Sequence, residues 1–464
     1  MSDKGFLYTL SGRRPDSVGI AESSLDAIGA VPRPVVLGQD GVFRPYVISW
    51  NITKRCNLAC SHCYIDAVRR KIGEGELSTE QCLRIADSIA EANPGCLVIL
   101  TGGEPFMRED IFEVAARCAS RGLFTVMGTN GVMLSPERVA RARDAGVRGF
   151  GISLDSTAPG PHDEFRGVPG AWQRSIDGIA EIKRAGMDFL VQTSLMSFNF
   201  DRLEQVAEMV IDLGSPILNV YYLVCTGRGQ GLSPLEPEEY EQSLHALVRL
   251  QEQFRGRLMI NAKCAPHYKR IVHQNDPTST FLKTYDGGCP AATHYARITP
   301  EGKLTPCPYM PTEAGDLTEA GFAEIWRDSA VLNEMRGHKL GGKCGNCEYT
   351  KVCGGCRARA LALKGDYMDE DPWCGYEPKG TEVIELPQTE AYGKEQPTEL
   401  SWTPEARARL ERVPRFARGM VTRRVEAYCK ARGIAVVTAE LMQSLRDKVA
   451  AGTFTFLGKR PPPS

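Results

Sequence analysis

Six short apolar runs punctuate the first half of the chain, at 46–52, 97–100, 124–127, 150–154, 189–195 and 217–224. They recur at intervals of roughly 25–50 residues, and the segments between them are mostly amphipathic and rich in Ala, Arg and Glu. Short continuous apolar runs alternating with helical-period stretches predict repeated strand–helix units and a parallel sheet of buried strands. Ligands of such sheets collect at the carboxyl ends of the strands. The pattern changes after residue 400. Ser401-Trp402-Thr403-Pro404 reads as a cap followed by proline at the first helical position, opening a helix that stops at Pro414. A second helix shows Phe416, Met420, Val421, Val425 and Tyr428 on one face and ends at Gly433; a third begins at Thr438 with a stripe of Leu441, Leu445 and Val449. A Pro-, Glu- and Thr-bearing linker at 379–400 precedes this unit, and residues 1–44 form a Gly/Pro/Ser-rich extension without a chemical motif.

Each of the first four strand ends carries polar punctuation. After the first comes Cys56-Asn57-Leu58-Ala59-Cys60-Ser61-His62-Cys63, a C-x3-C-x2-C spacing with no fourth cysteine nearby. Thiolates are soft ligands suited to iron–sulfur clusters. Three of them on a four-iron cube leave one iron open to a small molecule, whereas a closed four-thiolate site offers no vacancy. The second strand ends in Thr101-Gly102-Gly103-Glu104-Pro105, the third in Gly128-Thr129-Asn130-Gly131 and the fourth in Ser153-Leu154-Asp155-Ser156. Singly, each is ordinary strand-to-helix punctuation; their order behind the cysteine triad is what makes them specific.

Cysteine usage widens the picture. Sixteen cysteines occur in 464 residues, and the second half holds Cys289, Cys307, Cys344, Cys347, Cys353, Cys356 and Cys374. Spacing alone suits Cys344-x2-Cys347 and Cys353-x2-Cys356 to a zinc ribbon as well as to iron–sulfur ligation. Clustered cysteines without an apolar leader predict metal ligands in a reducing cytoplasm rather than disulfides. No apolar run approaches membrane-spanning length. The formal charge of −1, with no basic stripe, argues against a nucleic-acid substrate.

The triad and the three motifs behind it resemble the radical S-adenosylmethionine (SAM) enzymes, over residues 45–260. The resemblance implies a partial (β/α)6 barrel of the TIM type. It implies that Cys56, Cys60 and Cys63 hold a 4Fe–4S cluster whose open iron binds SAM. Gly102, Gly103 and Glu104 would grip the SAM amino group, Ser153 and Asp155 the ribose, and Arg166 the carboxylate as a bidentate partner. The second cysteine set, within 261–378, is similar to the SPASM extension of that family, although its last pair is separated by two residues where three are commoner. This likeness implies one auxiliary 4Fe–4S cluster on Cys344, Cys347, Cys353 and Cys374, and another on Cys289, Cys307 and Cys356. Two full clusters need eight thiolates and the motif supplies seven. Cys264, just upstream, is the best candidate for the eighth, with a noncysteine ligand or a three-thiolate cluster as alternatives. Cys82, Cys96, Cys118, Cys225 and Cys429 remain as packing residues.

The stretches 297–311 and 343–360 look like the radical SAM enzymes of alternative haem synthesis and of the haem made for denitrifying nitrite reductase. Residues 402–449 resemble the C-terminal domain of the B subunit of light-independent protochlorophyllide reductase. Both likenesses imply a tetrapyrrole substrate, a contribution of the C-terminal unit to its binding, and a low-potential donor such as ferredoxin or flavodoxin. Arg228, at the end of the sixth run, and His267, near the junction of the two halves, are candidate contacts for substrate carboxylates or iron. Two other readings stay open: a peptide-modifying or enzyme-maturing radical SAM enzyme, and a nonenzymatic iron–sulfur carrier or haem chaperone.

Overall fold

A computed structural model describes residues 43–68, 75–232, 235–255, 257–283, 288–386, 398–411, 413 and 415–450. The six apolar runs are strands β1 (Val47–Asn51), β2 (Leu97–Thr101), β3 (Phe124–Thr129), β4 (Gly149–Ser153), β5 (Asp188–Leu195) and β6 (Ile217–Tyr222). Four more strands join them: β7 (Met259–Lys263), β8 (Tyr295–Ile298), β9 (Lys303–Thr305) and β10 (Gly315–Asp316). The sheet order is β10-β9-β8-β1-β2-β3-β4-β5-β6-β7. It is parallel from β8 through β7 and antiparallel at β8–β9 and β9–β10. β7 and β8 are the two ends of the parallel part and do not pair, which leaves the barrel partial. The second cysteine region therefore grows out of both barrel edges. The sheet runs through the boundary expected at residue 260 because β7 pairs with β6 and β8 with β1.

The strands are not apolar on both faces. In β5 every second residue is fully buried and the others are half-buried, and β2 alternates in the same way. Ile48, Trp50, Val98, Leu100 and Val191 face outward and pack with helix residues such as Ile85, Ile89 and Val114 in one continuous core. Burying each such aliphatic side chain contributes about 1.5–3 kcal/mol. The helix Thr79–Ala92 shows why the outer layer forms. Ser78 accepts from the Gln81 backbone, Gln81 reciprocates at the Ser78 N–H, and Cys82, Ile85, Ala86 and Ile89 lie on one stripe. The inward positions mix small or polar residues, Gly128, Gly151, Gln192, Ser194, Asn219, Tyr221, Asn261 and Lys263, with apolar Ile99, Val126 and Leu190. The expectation of hydrophobic strands holds fully for the outer face and in part for the inner one.

The C-terminal unit has the three expected helices, Pro404–Glu411, Arg415–Lys430 and Ala439–Ala450, and a two-stranded parallel ladder of Ser401–Trp402 with Val436–Val437. Pro414, the side chains of Phe416, Met420 and Val449, most of the N-terminal extension and linker residues 387–397 lie outside the described residues. The unit's core of Trp402, Ala406, Val421, Val425, Cys429, Val437 and Leu445 continues into Tyr46, with Val47 and Leu97 packed against it. Val47 and Leu97 begin β1 and β2. The unit thus packs against the amino-terminal ends of β1 and β2, opposite the strand ends that carry the cysteine triad. Among the described residues no helix is long and apolar enough to cross a membrane.

Trp402 links the two bodies: it is buried, and its indole Nε1 donates to Glu426 Oε1 at 2.8 Å. Trp402→Ala is expected to destabilise the C-terminal unit by about 3–5 kcal/mol. Earlier proteolytic cleavage after residue 400, with the barrel's own thermal transition retained, is the readout.

Candidate functional site

The triad loop leaves β1 and is fixed from three sides. Gly103 N donates to Thr53 O and Glu104 N to Arg55 O, both at 2.7 Å. A Cβ at Gly102 would stand 2.5 Å from Thr53 O, and one at Gly103 would stand 2.1 Å from Arg55 O. The two glycines are therefore required by backbone packing against the cysteine loop itself, with Gly102 also at φ +137°. Ala59 N and Ser61 N donate to Arg166 O and Phe165 O, each at 3.1 Å. Arg228 closes the third side, with Nε on Cys60 O at 2.9 Å and Nη1 on Ala67 O at 2.7 Å. The expected carboxylate contact is instead a clamp on the loop.

Three thiols come together in this loop, close enough that Cys60 and Cys63 raise the pKa of Cys56, and Cys63 that of Cys60. Burial, with Glu104 and the two neighbouring thiols, pushes Cys56 up to about 12; burial also raises Cys60, against the pull of Arg166. N–H groups nonetheless aim at the sulfurs: Leu58 N at 3.4 Å from Cys56 Sγ, and Ala67 N at 3.3 Å from Cys63 Sγ. Arg166 Nη1 lies 3.9 Å from Cys60 Sγ. Donors directed at sulfurs that burial would hold protonated suit thiolates bound to iron, and the site fits a cluster.

The polar motifs behind the triad are largely satisfied within the protein. Glu104 is fully buried, and its carboxylate accepts from Thr129 Oγ1 at 2.7 and 2.9 Å, Asn130 N at 3.0 Å and Phe106 N at 3.3 Å. Burial raises its pKa to about 7 against those donors. Arg166 is forked onto Asp155, Nε to Oδ2 at 2.6 Å and Nη2 to Oδ1 at 3.0 Å. Burial alone would raise the Asp155 pKa; the Arg166 guanidinium and His162 hold it well below the ordinary carboxylate value. Asp155 and Arg166 thus engage each other, with Arg166 reaching on to a triad sulfur. Ser153 ends β4 half-buried, on the inner face.

The other ligand candidates form two groups of four. Cys264, just past β7 in a left-handed conformation (φ 60°), senses Cys356 and Cys289, and Cys307 senses Cys289, Cys356 and Cys264. Cys353 senses Cys374 and Cys344, and Cys347 senses Cys344. These last four thiols line a cleft of about 320 Å³, measured to its open rim. Tyr349 N, Gly355 N and Asp371 N point at Cys347, Cys353 and Cys344 Sγ from 3.4, 3.5 and 3.5 Å. Between the two groups lies a buried ion pair, Arg359 Nη1 to Asp371 Oδ2 at 2.7 Å. Asp371 Oδ2 accepts from Cys356 N at 2.8 Å, and Arg359 Nη2 donates to Cys264 O at 2.9 Å. Among the described residues no three His, Cys, Asp or Glu side chains converge to hold a single ion.

His267 does not reach the barrel mouth. It is fully buried, with Nδ1 2.7 Å from Tyr240 OH and Nε2 3.6 Å from Asp371 Oδ2, and burial lowers its pKa to about 4. It lines the cleft of the second thiol group. The remaining cysteines separate as expected: Cys82, Cys96, Cys118 and Cys429 are buried in apolar cores, and Cys225 is half-buried beside Leu223 and Phe165.

The sequence reading missed a cluster of aromatic and polar side chains around Tyr64, next to the triad. Asn51 Nδ2 donates to Tyr64 OH at 2.8 Å, the Tyr64 and Tyr309 ring centroids stand 5.1 Å apart, and Arg297 Cζ lies 5.7 Å from the Tyr64 ring. Tyr221 and Tyr295 complete the group, each electrostatically coupled to Tyr64. A signal existed: Tyr64 follows Cys63 directly, and polar residues alternate through 217–222 and 259–263.

The comparisons agree with this geometry. The Radical SAM superfamily model matches residues 50–210, the iron–sulfur cluster-binding SPASM domain matches 289–356, and the proto-chlorophyllide reductase 57 kD subunit model matches 402–446. The chain is 38% identical to an AdoMet-dependent heme synthase of Methanosarcina barkeri, over 72% of this chain and 97% of that protein. It is 30% identical to a pre-heme d1 synthase of Dinoroseobacter shibae, over 72% and 87%. In fold it is similar to Streptococcus suis SuiB bound to S-adenosylmethionine, with a TM-score of 0.59 and 18% identity, over 72% of this chain and 78% of that one. A triad loop on a partial parallel barrel, a cysteine-rich extension and relatives matched over nearly their full length lead to one conclusion: the chain belongs to the radical SAM superfamily, as an enzyme with a SPASM domain that uses 4Fe–4S clusters and S-adenosylmethionine.

Proposed function

We propose that this enzyme modifies the side chains of an iron tetrapyrrole in haem-type cofactor synthesis, by oxidative decarboxylation or side-chain cleavage. The observation that carries the reading is the 38% identity running over 97% of a protein named as a heme synthase. The polar, aromatic interior between the triad and the first group of four supports it. In this reading Cys56, Cys60 and Cys63 hold the SAM-binding cluster. Cys264, Cys289, Cys307 and Cys356 hold one auxiliary cluster, and Cys344, Cys347, Cys353 and Cys374 the other. When bound, the first cluster and SAM supply reductive cleavage of the sulfonium and, through it, hydrogen-atom abstraction.

The chain's residues do the positioning. Arg228 and the Gly102–Gly103 turn hold the triad loop rigid, and Arg166 places a positive charge beside Cys60. Asp155 fixes Arg166, and Ser153 presents a hydroxyl at the strand end, where the ribose is expected. With its carboxylate occupied, Glu104 shapes this turn, and the backbone carbonyls of Gly102 and Gly103 are left for the SAM amino group. The inward faces of β6, β7 and β8 enclose the substrate and exclude water. A propionate that gives up one hydrogen atom, carbon dioxide and one further electron becomes a vinyl group. A ferredoxin or flavodoxin would supply the low-potential electron. The C-terminal unit packs at the starts of β1 and β2, so its contribution is to hold these strands in place and not to touch a substrate at the mouth.

Three outcomes test this reading. Cys60→Ala is expected to abolish 5′-deoxyadenosine formation while iron in the second half is retained; undiminished formation would remove the triad assignment. Anaerobically reconstituted enzyme is expected to hold about twelve irons per chain, at four per cluster, and Cys264→Ala to lose up to a third of them. A single cluster with stoichiometric zinc would instead make the second half a zinc site. Iron-coproporphyrin is expected to bind with a shifted Soret band and to be turned over with SAM and dithionite. Turnover of a peptide, with no porphyrin bound, would give the enzyme to the peptide-modifying alternative.

A further inference from the structure

The barrel interior holds two cations that no carboxylate answers. Lys263 ends β7 in register with Tyr221 of β6, half-buried on the inner face. Among the described residues its one charge neighbour is the Cys264 thiol. Arg297 of β8 is buried; it donates from Nε to Asn51 Oδ1 and from Nη1 to Pro308 O, both neutral acceptors. Cations enclosed without an anionic partner are costly, and most other buried arginines of this fold are paired with a carboxylate, Arg166 with Asp155, Arg359 with Asp371, Arg108 with Asp110 and Arg270 with Glu241, while Arg357 binds the backbone carbonyls of Gly354, Tyr367 and Asp369. The neighbours that face them, Tyr221 beside Lys263 and Tyr64 and Asn51 beside Arg297, are phenols and an amide, neutral at physiological pH, with the Cys264 thiol next to Lys263 in sequence. Tyr64, Tyr221 and Tyr309 supply flat aromatic area beside both cations, and Asn219 and Asn261 are joined at 3.0 Å on the wall between them.

We propose that Lys263 and Arg297 are the carboxylate-binding residues of the substrate chamber, each holding one carboxylate of a planar polyanionic macrocycle whose ring lies against Tyr64, Tyr221 and Tyr309. The inference rests on the tetrapyrrole reading and specifies how that substrate is held. The position is chemically apt. Tyr64 adjoins the triad cysteine Cys63, while Tyr309 and Tyr221 sense Cys264 of the first group of four. A propionate held by Lys263 therefore lies between the group that starts the reaction and a group able to take up an electron. The planar fork of Arg297 suits a carboxylate approached edge-on, and Lys263 acts as a point charge.

The test is an anaerobic titration of the cluster-loaded enzyme with iron-coproporphyrin III and with its tetramethyl ester, read at the Soret band. Wild type, Lys263→Gln, Lys263→Arg and Arg297→Gln are compared, with iron content and the auxiliary-cluster electron paramagnetic resonance spectrum as controls of folding. Each glutamine variant is expected to weaken binding of the acid by about tenfold or more, the loss of one charge-assisted contact. Lys263→Arg should restore most of the affinity, and the ester should bind all four proteins alike. Unchanged acid affinity in both glutamine variants overturns the proposal. So does an altered auxiliary spectrum with unchanged affinity, which would make Lys263 a partner of the thiol group. Wild type that binds neither acid nor ester overturns the tetrapyrrole reading itself. Tight wild-type binding with unaffected variants removes only this assignment.

Discussion

Thiols packed together away from water are the constraint on which this structure depends. Burial raises the Cys56, Cys60, Cys264, Cys289, Cys307, Cys353 and Cys374 thiols above their ordinary pKa. As bare thiolates they would repel; as thiols they would leave the sulfur-directed N–H groups with weak acceptors. Iron resolves both problems by taking the negative charge, so cluster loading and the stability of the second half are coupled. The Arg359–Asp371 pair belongs to the same balance. It ties the backbone of Cys356 to that of Cys264, and the Asp371 N–H reaches Cys344 of the other group.

The barrel serves this chemistry through the two faces of its strands. Outward residues bind the helical layer and supply most of the apolar burial. The inner face is thereby free to be polar in part, and β7 and β8, the two ends of the parallel part, carry Lys263, Tyr295 and Arg297. Cys264 follows one edge, Cys289 precedes the other, and the first group of four closes the gap between them. The C-terminal unit packs against the amino-terminal ends of β1 and β2, opposite the triad loop.

Part of the site was legible because its signals are local. The six strands were visible as apolar runs, and each observed strand begins and ends within about two residues of its run, the usual uncertainty of such boundaries. The helix starts after Thr403 and Thr438 followed from capping chemistry, each hydroxyl accepting a backbone N–H of the first turn. The C-x3-C-x2-C spacing and the glycine pair were equally plain, although the reason for the glycines was not: the backbone they approach is that of the triad loop, fifty residues earlier in sequence.

What the sequence by itself determined was the inventory: strand–helix alternation, a triad short of one ligand, a second cysteine set and a separate helical end. Only the tertiary structure decided how these parts meet. It turned Glu104 onto Thr129, locked Arg166 onto Asp155, made Arg228 a clamp on the cysteine loop and buried His267 behind the second thiol group. It also brought Cys264 to Cys289, Cys307 and Cys356, and gathered four tyrosines and two cations from β6, β7, β8 and two loops near one another. The physical reason is range. Periodicity, capping and ligand spacing are set by neighbours a few residues apart, whereas the partner of a buried charge is chosen by which strand ends the closing sheet places side by side.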